Sequence, residues 1–101
     1  MPYIPLNAVA STSTAGATAQ TIADGGATVP AMARYAEGYV RDASCVFYPD
    51  GSTPTATSGI QADQADVIYL RSRDEIVKAL FIRQGAVSAT INWTFYSSPG
   101  D

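Results

Sequence analysis

Histidine is absent from the 101 residues of this chain, cysteine occurs once, and charged residues make up only 15% of the composition. The lack of histidine removes the most common general base and a frequent metal ligand. The single cysteine, Cys45, excludes an intrachain disulfide and with it the disulfide-stapled scaffold of small secreted domains. We therefore expect no enzyme, no cofactor and no metal site, and we expect Cys45 to be a buried, inert thiol in a strand.

Basic residues are also scarce, since Lys and Arg together number 6 and the formal net charge is -3. A nucleic-acid partner is not expected, because binding a phosphate backbone requires clustered basic residues. No apolar run approaches the roughly 18 residues of a membrane span, and the N-terminus lacks the order of a signal peptide. The 47% of hydrophobic residues argues against disorder and favours one small folded domain.

The most distinctive stretch is a run of turn-forming residues at 47–60, which we call the corner. Asp50 and Gly51 favour positive φ, while Pro49 and Pro54 fix φ and remove ladder donors. Serine and threonine hydroxyls along the run can satisfy nearby backbone groups. A phosphate-binding or metal-binding loop is the alternative, but the run has no matching motif and Asp50 is its only carboxylate. We therefore interpret the corner as a structural turn.

On either side of the corner, apolar alternation predicts about seven short strands, and this spacing is typical of a β-sandwich or a small barrel and not of a βαβ fold. A helix competes for the start of the third of them, and Ser72 with Glu75 matches a capping box, which predicts one helical turn. The short link at 84–87 predicts that the last two strands form a hairpin. The predicted extended segments are 17–23, 27–30, 32–42, 44–48, 60–65 (a short edge or a turn), 66–70, 78–84 and 88–96.

The N-terminal residues 1–16 have two prolines and a Ser/Thr/Ala/Gly tract, which predict an extended arm outside a domain at 17–101. A frayed terminus would explain the composition equally well. Tyr3, Ile4 and Leu6, however, are apolar residues that a solvated tail would not require. We interpret these three as candidate partner-binding residues.

The search for catalytic chemistry yields little. The close carboxylate pairs are Asp63 with Asp66 and Asp74 with Glu75, and all four lie in or beside predicted turns, where carboxylates are ordinarily solvated. A calcium site built from Asp50, Asp63 and Asp66 lacks a loop signature.

Aromatic residues provide a different possibility, because exposed rings on a sheet can stack on a sugar or contact a protein. Trp93 lies on the apolar face of the last strand, where core packing is the simpler interpretation. The candidates for such a face are Tyr35, Tyr39, Tyr48, Tyr69, Trp93 and Tyr96.

Several of these segments resemble small virion proteins of tailed bacteriophages. The family pattern is a turn of the form D-G-T-x-P-T-x-x-x-G, a following strand G-D-x-I-x-L and a closing strand rich in alternating apolar residues. The resemblance spans about 34–96 and excludes the arm, and the approach to Asp50 is Phe47-Tyr48-Pro49 where the family is more polar. The matching segments are RD at 41–42, VFYPDGSTPTATSGI at 46–60, DVIYL at 66–70, IRQ at 82–84 and SATINWTFY at 88–96.

The resemblance implies an all-β fold, a small antiparallel, jelly-roll-like β-sandwich built into a phage particle and made in the host bacterial cytoplasm. It implies a capsid decoration or cement protein whose partners are the major capsid protein and neighbouring copies of itself, as a dimer or trimer. A tail, fibre or head-tail connection component is the alternative within the same class. A carbohydrate-binding module is the alternative of a different class, and it requires Tyr35 and Tyr39 to be exposed.

Overall fold

The structure is a computed structural model, and it describes residues 4–6 and 10–97. It confirms the predicted all-β class, because two antiparallel sheets pack against each other and one short helix connects them. The large sheet contains β1 (Ile4–Leu6), β2 (Thr12–Ala15), β3 (Tyr35–Val40), β6 (Val67–Leu70) and β8 (Ala89–Ser97). The small sheet contains β4 (Cys45–Tyr48), β5 (Ile60–Ala62) and β7 (Leu80–Arg83), and the helix is α1 (Arg73–Lys78).

The longest strand, β8, organises the large sheet. It pairs with β3 on one side, and with both β1 and β2 on the other, and β6 follows β3 at the far edge. In the small sheet the order is β5-β4-β7. Alternation along β8 is strict, so that Ala89, Ile91, Trp93 and Phe95 are buried as predicted while Thr94 is exposed.

Aromatic rings join the two sheets in the core. Phe47 and Phe81 of the small sheet stack with their ring centroids 5.2 Å apart, and Phe81 meets Trp93 of the large sheet edge-on at 5.7 Å. Trp93 in turn stacks on Phe95 at 6.4 Å. Burial of rings of this size is a dominant contribution to the stability of a small domain. The four rings therefore fix the packing of one sheet on the other.

The Trp93 side chain lies directly over the backbone of Gly38, its cross-strand neighbour in β3. A Cβ atom at position 38 would stand 2.6 Å from Cζ3 of the indole, so only glycine permits this approach. The indole N–H donates a buried hydrogen bond to Ser13 Oγ at 2.8 Å. Ser13 belongs to β2, and this bond therefore ties the N-terminal segment to the core.

Residues 4–6 and 12–15 of the N-terminal segment are part of the large sheet, which corrects the prediction of an arm at 1–16 outside a domain at 17–101. Its described residues are extended as expected, but β1 and β2 run along β8 in register. Ala15 is fully buried and Ser13 is 3% exposed. The Ser/Thr/Ala composition that suggested a free arm instead belongs to a paired strand, in which Ser13 accepts the indole hydrogen bond and Ala15 is buried.

Three other expectations from the sequence are wrong. Residues 17–23 form no strand, because the backbone turns there: the Gly25 N–H donates to the Thr21 carbonyl, and the Asp24 N–H donates to Thr21 Oγ1. Residues 27–30 form no strand either. The predicted hairpin of the last two strands is absent, since β7 pairs with β4 in the small sheet whereas β8 pairs in the large one. The link at 84–88 crosses between the sheets.

The corner and the helix form as predicted. The corner connects β4 to β5, Gly51 has a φ of 90°, and the Ser52 N–H donates to Asp50 Oδ1 at 3.0 Å. The helix α1 begins after the N-cap Ser72, whose hydroxyl accepts from the Glu75 N–H. The turn and the helix start therefore form at the positions that the residue types predict.

Candidate functional site

Four tyrosines gather on the outer face of the large sheet, and we call this surface the tyrosine platform. They are Tyr35 and Tyr39 on β3, Tyr69 on β6, and Tyr96 on β8. Strand alternation places them there, because the residues between them point into the core. In β3, for example, Ala36 is buried and contacts the core cluster.

The rings of the platform lie close together. Tyr35 and Tyr96 are directly opposite each other in the register, and their centroids are 5.5 Å apart with an interplanar angle of 41°. Tyr35 and Tyr69 stack at 6.5 Å with an angle of 20°. The Arg71 guanidinium lies over the Tyr69 ring, 5.8 Å from its centroid, in the range of a cation-π contact.

Glu37 lies at the centre of the platform and accepts two hydrogen bonds from it. The Tyr35 hydroxyl donates to Oε2 and the Tyr96 hydroxyl donates to Oε1, both at 3.0 Å. Desolvation by burial, followed by the Glu37 hydrogen bond and charge, raises the pKa of Tyr35 to about 12. The Glu37 hydrogen bond is the main cause that raises the pKa of Tyr96. The two hydrogen bonds to Glu37 therefore fix the orientation of both phenols as donors.

The two remaining tyrosines present their rings to solvent. Tyr39 is 47% exposed and Tyr69 is 48% exposed, and they occupy diagonal positions on neighbouring strands. Asn92 and Thr94 of β8 share this outer face. The surface offers flat apolar rings, hydroxyls and one carboxylate, which suits binding of a partner by contact and stacking.

Of the candidate partner-binding residues Tyr3, Ile4 and Leu6, the first lies outside the described residues. Leu6 is partly buried and packs against the core, so its apolar character anchors β1 to its own sheet. Ile4 is 52% exposed and lies near the end of β8, opposite Ser97. Of the two that the structure describes, only Ile4 has an exposed side chain, and its role as a partner-binding residue stays a prediction.

Four of the six aromatic candidates for a binding face come together, and two do not. Trp93 is a core residue, as the simpler interpretation predicted, and Tyr48 lies at the end of β4 with its hydroxyl bonded to Ser58 Oγ. Glu37 is part of this site but is not among the residues predicted from the sequence. Its position midway between Tyr35 and Tyr39 in an alternating strand was the available signal.

The carboxylate pairs are engaged in local structure. Asp63 accepts hydrogen bonds from Gln61 and, with a smaller effect, from Ser44, and both lower its pKa. Asp66 accepts a hydrogen bond from the Asp63 N–H. Asp74 forms an ion pair with Lys78 at 3.2 Å. Glu75 Oε1 accepts from the Arg71 backbone N–H. Within 4–6 and 10–97, no group of three or more Asp, Glu, Cys or His side chains is arranged to hold a metal ion.

The single thiol is buried in β4, as predicted. Burial, with a smaller contribution from the charge of Asp66, raises the pKa of Cys45 to about 12. The thiol therefore remains protonated over the physiological range, and the thiolate that nucleophilic chemistry requires does not form there.

Clefts of a few hundred Å³ open beside the sheets in the part of the chain that the structure describes. One, of about 420 Å³, lies between α1 and the loop at 23–29 and is lined by Val29, Ile76 and Val77. At its rim Arg73 donates a hydrogen bond to the Pro30 carbonyl, which ties that loop to the helix. Another, of about 340 Å³, lies between β5 and β6, and a third, of about 370 Å³, is lined by Ser44 and the link at 84–87.

The chain matches no protein-family model, no curated protein and no solved structure. Among the described residues, no helix has the length and apolar character needed to cross a membrane.

Proposed function

We propose that this chain is a structural protein of a tailed-phage virion, a decoration or cement protein bound at capsomer junctions of the head. The tyrosine platform supports the binding role, because tyrosine is enriched where protein surfaces meet. The particle is proposed from the resemblance over about 34–96, which includes the corner and the closing strand.

The proposed mechanism is attachment through many copies. Each copy buries one modest surface on the shell, and simultaneous attachment at many junctions holds neighbouring capsomers together. Tyr39 and Tyr69 contribute flat, half-exposed rings that lose little conformational freedom on contact. The engaged phenols of Tyr35 and Tyr96 keep the centre of the platform rigid.

The test mixes the purified protein with capsids that lack it and measures the bound mass. We expect saturable binding at a fixed ratio to the major capsid protein. Tyr69→Ala should weaken that binding, whereas Val87→Ala, at an exposed residue of the 84–88 link, should leave it unchanged. Failure of the unmodified protein to bind capsids, together with binding to purified tails, would assign it to the tail or fibre.

The contribution of the N-terminal segment needs a point variant. Deleting 1–15 would also remove Ser13 and Ala15 from the core, so loss of binding after such a deletion would not identify a contact. Ile4→Glu changes only an exposed residue, and Val87→Glu is its control. If Ile4→Glu binds capsids as the unmodified protein does, Ile4 is not a capsid contact.

The exposure of Tyr39 and Tyr69 also favours a second candidate, binding of a neutral glycan by stacking on the platform. Here the partner would be a polysaccharide and the capsid would be irrelevant. Titration with neutral polysaccharides separates the two functions. Saturable binding that is lost in Tyr69→Ala, in a protein that does not bind capsids, would support the glycan.

A further inference from the structure

The chain covers several strand edges with its own backbone. Along the outer edge of β7, Gln20 and Phe81 exchange both backbone hydrogen bonds. Along the outer edge of β2, the Thr14 N–H donates to the Gly25 carbonyl at 3.0 Å. Covering an edge in this way prevents another chain from pairing with it.

The edge of β6 has no such cover within the described residues, because β6 is the last strand of the large sheet. Its hydrogen-bonding pattern follows from the register with β3. The Val40 N–H donates to the Asp66 carbonyl, so the backbone groups of Ile68 and Leu70 also face β3. The N–H and C=O groups of Val67 and Tyr69 therefore point away from the sheet, toward the free edge.

The side chains of β6 lack the features that usually protect an exposed strand edge from pairing with another strand. The four residues of β6 include no charged residue and no proline, which are the usual protections of an exposed edge. Val67 is 43% exposed and Tyr69 is 48% exposed. Across the adjacent cleft of about 340 Å³, Ile60 of β5 is 50% exposed and extends the apolar surface.

The charges at the two ends of β6 indicate which strand would pair with its edge, namely a second copy of β6. Asp66 immediately precedes the strand and Arg71 immediately follows it, and both line the cleft beside this edge. A second copy of this strand running antiparallel would bring its basic end beside the acidic end of the first, at both ends of the contact. A parallel copy would place like charges side by side, which is destabilising.

We propose that two copies of this chain associate by antiparallel pairing of β6 with β6 about a twofold axis at Ile68. In this register Val67 lies opposite Tyr69 of the partner subunit, and their outward N–H and C=O groups complete the ladder. The two large sheets become one continuous sheet. Tyr39 and Tyr69 of both copies then share one face, so that the dimer presents a double tyrosine platform.

This inference rests on the association with neighbouring copies that is part of the proposed function. Its test uses the protein alone and requires no phage particle. Light scattering of the protein alone should give twice the 10.6 kDa mass of one chain. Hydrogen exchange should show protected amides at Val67 and Tyr69 that lose their protection on dilution. A mass of one chain across the micromolar range would overturn the pairing, whatever the capsid-binding result.

Charge variants test the register. Val67→Lys places a charge on the free edge and should reduce the mass to 10.6 kDa. Thr94→Lys adds the same charge to the same face on the central strand β8, and should leave the dimer intact. Val67→Lys combined with Tyr69→Glu places opposite charges across the interface and should restore the dimer. Equal disruption by Thr94→Lys, or no restoration in the double variant, would contradict the proposed register.

Discussion

Replacing Gly38 by alanine should destabilise the protein because the new methyl group has no space. A Cβ atom there would stand 2.6, 2.7 and 2.8 Å from three carbon atoms of the Trp93 six-membered ring. The ring is restrained on its other sides by stacking on Phe95, by the edge contact with Phe81 and by the hydrogen bond to Ser13. Moving it aside would therefore disturb three interactions at once.

The magnitude follows from two opposing effects. Overpacking a well-packed core by a methyl group costs about 1–3 kcal/mol. Glycine in a strand interior is itself less favourable than alanine by roughly 0.5–1 kcal/mol, which alanine recovers. Since the neighbour of Gly38 is the side of a large restrained ring, we expect the overpacking cost to prevail and the free energy of unfolding to fall by about 1–2 kcal/mol.

Denaturant unfolding measured by Trp93 fluorescence gives this difference directly. Gly85→Ala is the matched control, because nothing lies within 4 Å of a Cβ at that position, and it should be neutral or slightly stabilising. In a Trp93→Phe background, followed by circular dichroism, Gly38→Ala should cost less. If Gly38→Ala proves as harmless as Gly85→Ala, the close approach of the indole to β3 is wrong.

Two further predictions concern the helix cap and the platform. Ser72→Ala removes the oxygen that accepts the Glu75 N–H and should lower the free energy of unfolding by about 1 kcal/mol, whereas Ser72→Asp keeps an acceptor and should cost little. The raised pKa of Tyr35, from 10.0 to about 12, contributes stability that is complete below pH 10 and is lost as the pH rises toward 12. Phenolate absorbance should show Tyr35 and Tyr96 titrating late, and Glu37→Gln should bring both pKa values down.

Each of these has a clear contrary result. Equal stability of the alanine variant and the unmodified protein would show that the Ser72 hydroxyl does not cap the helix. All tyrosines titrating together near pH 10, or an unchanged titration in Glu37→Gln, would show that the carboxylate does not hold the two phenols of the platform.

The sequence determined those features whose causes lie within a few residues. The alternation along 88–96 predicts both β8 and its buried face, since strand periodicity assigns each side chain to one side. The corner follows from Asp50-Gly51 and its prolines, and the N-cap follows from Ser72 and Glu75 at a spacing of three. The strands at 44–48 and 66–70 are equally local, because β-branched and aromatic residues are concentrated in them.

Only the tertiary structure decided which strands pair. The small residues at 12–15 predicted a free arm, yet they form a strand that pairs with β8. The link at 84–88 is short enough for a hairpin, but β7 pairs with β4 in the small sheet and β8 pairs with β3 in the large one. Which strands pair depends on contacts between side chains that are distant in the sequence, so no local pattern predicts the pairing.

The tyrosine platform also depends partly on local sequence and partly on tertiary structure. Alternation alone places Tyr35, Glu37 and Tyr39 on one side of β3. The register between β3, β6 and β8 then brings Tyr69 and Tyr96 to them from distant parts of the sequence. Residue types and periodicity therefore determined what each strand offers. The packing of the two sheets decided which strands became neighbours, because the aromatic core is buried only when the whole chain adopts this arrangement.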